Sequence, residues 1–138
     1  MKIILVILLS VLAAAGQTKQ DTAGRNVSLK LPKSAAQNET IWLELKVGVL
    51  TRGTAIEIRT AEGRLLGVIS PYGAKFRDAD AVSIYAVPVP REVVDKGQLA
   101  VRLIVTGPNH LQRTPTKRDI RSVRLKVTAN RQAPFSID

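Results

Sequence analysis

The sequence has no cysteine, and it has one histidine, one tryptophan and one methionine among 138 residues. Without cysteine there is no disulfide, no thiolate nucleophile and no lipid-modified cysteine at a new N-terminus, so packing alone has to hold the chain folded. A single imidazole, His110, cannot supply the ligand sets that zinc and copper require. A Ser/His/Asp hydrolase would have to run through that same His110, and there is no G-x-S-x-G elbow to present its serine. Phosphate loops of the G-x-x-x-x-G-K or G-x-G-x-x-G kind are also missing. The acidic pair Asp78 and Asp80 lacks the run of oxygen donors of a calcium loop and adjoins Lys75 and Arg77. No cofactor or metal is expected.

Long apolar runs are scarce too, with one exception at the start. Met1-Lys2 is followed by Ile3 to Ala15, apolar except for Ser10 and ending in the small residues Ala13-Ala14-Ala15-Gly16. Those thirteen residues fall short of the ~20 that a helix needs to cross a bilayer. The pattern is that of a cleavable secretory signal over residues 1–16, with the cut before Gly16 or Gln17. The expected product is secreted or periplasmic and has no transmembrane anchor after cleavage. It divides into a polar, disordered lead-in over 17–25, one domain over 26–130 and a C-terminal tail over 131–138.

Acidic residues are outnumbered, 11 Asp and Glu against 21 Lys and Arg, for a formal charge of +10. Such a field draws polyanions or acidic protein surfaces. Export argues against nucleic acid, so the expected partner is another exported protein or an anionic envelope polymer.

Period-two alternation runs through the domain. Val27, Leu29 and Leu31 share one face. Ile41, Leu43, Leu45, Val47 and Val49 share another, opposite Trp42, Glu44 and Lys46. Ile56 and Ile58 alternate with Glu57 and Arg59, and the chain returns through Ala61-Glu62-Gly63-Arg64 to Leu65–Ser70, a β-hairpin pattern. Ala81–Val89 resumes a strand whose Pro88 suits only a sheet edge, with Tyr85 opposite Val82 and Ile84. Pro90–Gly97 reads as one helical turn or an irregular connection. Leu99, Val101, Leu103 and Val105 alternate next, with Ile104 breaking the polar face, and Gly107–Arg118 is an open loop. Val123, Leu125 and Val127 close the core. About seven short strands without helical periodicity predict an all-β fold, a single antiparallel β-sandwich of immunoglobulin-like or jelly-roll type.

Two features carry the functional expectation. From Arg113 to Arg131 seven basic residues accompany one acid, Asp119, and strand geometry would turn Arg113, Lys117, Arg118, Arg124 and Lys126 into a stripe. The stripe suits an anionic ligand, or it guards an edge strand against pairing. Trp42, Tyr72 and Tyr85 are the rings that could join it as a platform for sugars. Glu44 and Glu57 lie beside Lys46 and Arg59, and cross-strand ion pairs explain these carboxylates better than glycoside chemistry does. Asn26-Val27-Ser28 and Asn38-Glu39-Thr40 match the N-glycosylation acceptor, which matters only in a eukaryotic secretory pathway. The expected protein is an exported, non-catalytic binding or accessory module, with a carbohydrate- or polyanion-binding module as the alternative. Intact-mass measurement of the exported protein should give a first residue of Gly16 or Gln17; Met1 retained in carbonate-resistant membranes would replace the signal with an anchor.

Overall fold

The structure, a computed structural model, describes residues 23–70 and 81–130. The expected signal over 1–16, most of the lead-in, Tyr72, the Asp78/Asp80 pair and the tail over 131–138 lie outside the described residues.

Eight strands follow in order: β1 Arg25–Lys30, β2 Glu39–Val47, β3 Ala55–Thr60, β4 Leu65–Ile69, β5 Ser83–Val89, β6 Gln98–Thr106, β7 Gln112–Arg113 and β8 Ile120–Ala129. A single 3-10 turn, Arg91–Val93, stands between β5 and β6. One sheet has the order β1-β6-β3-β4, with β7 also on β6; the other has the order β5-β2-β8. Every strand pair is antiparallel. The fold is an all-β sandwich of two antiparallel sheets. In the immunoglobulin arrangement the first two strands are neighbours in one sheet. Here β1 and β2 lie in different sheets, and among the described residues only β3–β4 and β6–β7 are consecutive strands that pair.

Alternation explains which residues meet between the layers. Leu43, Leu45 and Val47 of β2 face Ile56 and Ile58 of β3 and Leu99, Val101, Leu103 and Val105 of β6, all essentially without solvent contact. Leu125 is buried with them, and Val127, also expected in the core, is half-buried at its margin. β2 is the middle strand of its sheet and β6 a middle strand of the other, so both carry the longest buried rows. The β3–β4 hairpin closes as its residues predict. Gly63 takes φ 91°, and the Thr60 carbonyl accepts from its N–H at 3.0 Å. A side chain at Gly63 would be strained there.

Three expectations are corrected. Gly107–Arg118 is not an open loop throughout, because Asn109 and His110 both take positive φ (61° and 57°), as in a type I′ turn. The Gly107 N–H donates to the Leu111 carbonyl at 2.8 Å, and Gln112-Arg113 then pairs with Val105 and Thr106. Two residues are too short to show a period, which is why this eighth strand is invisible in the sequence. The lead-in ends earlier than expected. Arg25 is already in β1, the Ala23 carbonyl accepts from the Arg102 guanidinium, and the Gly24 N–H donates to Thr114 Oγ1 at 3.1 Å. Gly24 lies against Ile104, which explains how that side chain is buried on an outer face.

The third correction concerns β5. The register sets Val87 opposite Leu43 and Tyr85 opposite Leu45. Directly opposed residues share a face, so Tyr85 points into the core and Ile84, 60 % exposed, points out. The sequence suggested the reverse because Val82 and Ile84 are the more apolar pair.

Leu103 is 1 % exposed at the centre of β6. Leu103→Ala should cost about 2–5 kcal/mol in urea unfolding, the range for a large-to-small change in a packed core. Far-UV circular dichroism should be β-dominated.

Candidate functional site

The outer face of the β5-β2-β8 sheet brings together what the sequence holds apart. Along β2 the outward residues are Trp42, Glu44 and Lys46. Pro88, Ala86 and Ile84 of β5 oppose them on one side, and Lys126, Arg124 and Ser122 of β8 on the other. Three cross-strand rows result: Pro88–Trp42–Lys126, Ala86–Glu44–Arg124 and Ile84–Lys46–Ser122. One flank of the face is apolar, the other cationic, and a half-buried indole lies between them.

Each central residue is fixed by its neighbour. The Trp42 indole N–H donates to Thr128 Oγ1 at 2.9 Å, which holds the ring over β8. Glu44, expected on the solvent face, is only 8 % exposed. Arg124 covers it, with Nε and Nη2 at 2.7 and 2.6 Å from Glu44 Oε1. A carboxylate this shielded needs its partner, since removing one member of a buried pair strands the other charge. Arg124 is therefore in large part a structural cation. Glu57 is likewise paired, but with Arg59 two residues along the same strand at 3.1 Å and not across strands.

The expected stripe from Arg113 onward is divided by the fold. Arg113 belongs to β7 in the other sheet, where both its terminal nitrogens donate to Asp119 at 2.7 and 2.9 Å. Asp119, 7 % exposed, also accepts from the N–H and hydroxyl of Thr116 at 2.7 and 3.0 Å. These donors, the Arg113 guanidinium foremost, lower its pKa from the ordinary 3.8 to about 2. The carbonyl of Asp119 accepts from the Gly48 N–H at 2.9 Å. A Cβ on Gly48 would overlap the Arg118 carbonyl, so only glycine lets the chain entering β8 come this close to the end of β2. The knot ties the two sheets together at one end. Lys117 and Arg118 are exposed on its outer surface, at the opposite end of β8 from Lys126.

Of the expected site residues, then, Trp42, Arg124 and Lys126 share a face, Lys117 and Arg118 stand at its end, Arg113 is elsewhere, and Tyr72 lies outside the described residues. Ile84, Ala86, Pro88 and Lys46 belong to the face and were missed. The proline was the available signal: an outward Pro88 puts Ala86 and Ile84 outward with it. His110 stands on the exposed β6–β7 turn, and among the described residues no three His, Cys, Asp or Glu side chains converge as a metal site.

The fold and this face define a small β-sandwich with an amphipathic outer sheet surface. No protein-family model, curated protein or solved structure matches the chain.

Because the folded pKa of Asp119 is depressed, its contribution is complete above about pH 4 and is lost as pH falls towards about 2. That loss should be on the order of 2 kcal/mol. Urea titrations at pH 6 and pH 2.5 should show the Asp119→Asn variant destabilised at the higher pH and much closer to the native protein at the lower.

Proposed function

We propose that the protein is an exported, non-catalytic β-sandwich module that serves as an accessory to another exported protein, which it docks on the outer face of the β5-β2-β8 sheet. The observation that carries this reading is the alignment of Pro88, Trp42 and Lys126 in one cross-strand row, with exposed Ile84 two rows along the same face. Protein interfaces favour an aromatic anchor within an apolar patch, rimmed by charge. Lys46 and Lys126, which pair with no carboxylate among the described residues, select an acidic partner and speed its approach.

A protein partner is favoured over an anionic polymer on two counts. A sugar platform needs several rings, and Tyr85 is turned into the core, which leaves Trp42 as the one ring on this face among the described residues. A polyanion site needs a row of unpaired cations, and Arg113 and Arg124 are held by Asp119 and Glu44. Lys117 and Arg118 keep the polymer as the second reading.

Since Arg124 covers Glu44, the variant that tests the face is Lys46→Glu with Lys126→Glu, compared with Arg25→Glu and Arg52→Glu, which make the same charge change at exposed positions elsewhere. A photo-crosslinking side chain at position 84 should give a discrete protein adduct in the exporting cell. The adduct should be lost in the face variant and kept in the control. Equal loss in both, together with equal loss of heparin retention, would reduce the surface to net charge and overturn the docking reading.

A further inference from the structure

A second site lies away from this face, at the end of the sandwich opposite the Asp119 knot. There the end of β1, the segment that follows it, the start of β2 and the 3-10 turn enclose a groove of about 380 Å³. Its apolar surface is aliphatic, from Leu31, Ala35, Ile41 and Val94, and its charged lining is Lys30, Lys33 and Arg91, with no carboxylate. We infer that this groove binds a small amphipathic carboxylate, an alkyl chain on the aliphatic surface with its carboxylate between the lysines.

The groove is built rather than incidental. The Arg91 guanidinium reaches across it and donates to the carbonyls of Ala35 (2.9 Å), Ala36 and Glu39 (2.7 Å), which fixes the wall. Carbonyls take up its donors, and the one carboxylate its charge faces among the described residues, Glu39, is shared with Lys33. Lys33 pairs with Glu39 at 2.8 Å, and that carboxylate is also held by the Ala36 N–H at 3.0 Å. Lys30 has no carboxylate partner among the described residues. Three cations thus share one acid at the rim of an apolar surface.

Charge and shape together choose the occupant. A neutral lipid leaves the cations unmet, and an inorganic anion leaves the apolar surface in water. An alkyl carboxylate uses both. The volume is at the small end of the roughly 300–1,000 Å³ typical of small-molecule sites, and an aliphatic lining without rings suits a short chain.

Titration calorimetry of the purified protein with octanoate tests this, with acetate, octan-1-ol and N-acetyl-leucine as the comparison probes. Octanoate should bind saturably and at least tenfold more tightly than each of the other three. Lys30→Gln with Lys33→Gln should weaken it at least tenfold at unchanged melting temperature, both side chains being exposed. Lys46→Glu with Lys126→Glu should bind octanoate as the native protein does, which separates this site from the docking face. Equal binding of octanol or of acetate, tighter binding of N-acetyl-leucine as a peptide C-terminus would show, or no effect of the lysine variant would each overturn the inference.

Discussion

Burial of aliphatic side chains between two sheets is the interaction on which everything else in this molecule depends. No disulfide supplements it, and among the described residues Tyr85 is the one ring packed against it. Leu43, Leu45 and Val47 must therefore meet Ile58, Val101 and Leu103 in one register, because a slip of one residue would turn an entire row to solvent. That register also decides what lies outside. Once Leu43 is opposite Val87 and Leu125, Trp42 has to stand between Pro88 and Lys126, and Glu44 beside Arg124. The surface proposed for docking is thus the reverse side of the core's own alternation.

This is also why the fold was legible in the sequence and the site only partly so. Period-two alternation is a local property, and β1, β2, β3, β6 and β8 carry it plainly, as does the β3–β4 turn through Gly63. Alternation names two faces without saying which is buried when both are apolar, and Ala81–Val89 is such a strand. Pairing with β2, a partner some forty residues distant, is what turns Tyr85 in and Ile84 out. The burial of Glu44 was hidden for a related reason. Its shielding comes from Arg124, eighty positions along the chain.

The cluster of cations near the C-terminal end shows how far linear proximity can mislead. Arg113 and Lys126 are close in sequence, but the turn at Thr116–Asp119 carries the chain from one sheet to the other between them. The fold assigns these cations to separate tasks: Arg113 holds the turn, Arg124 shields a carboxylate, and Lys126 is left on the surface with Lys46. A positive stripe in the sequence becomes two structural pairs and a few cations without an acid partner among the described residues.

The two ends of the sandwich are fastened by chemically different means. At the β2–β8 end the fastener is a carboxylate, Asp119, whose ability to accept from Arg113 and Thr116 depends on its being ionised. At the other end Arg91 is anchored on peptide carbonyls, which do not titrate, by a guanidinium that stays charged at any pH a protein survives. Strong acid therefore removes the carboxylate's bonds at the first end, whereas at the second it removes the Lys33–Glu39 pair and leaves the guanidinium–carbonyl bonds in place. A partly opened form reached near pH 2 would part its sheets around Gly48 and Asp119 while the segment tied by Arg91 to its carbonyls held longer, which gives acid unfolding a direction.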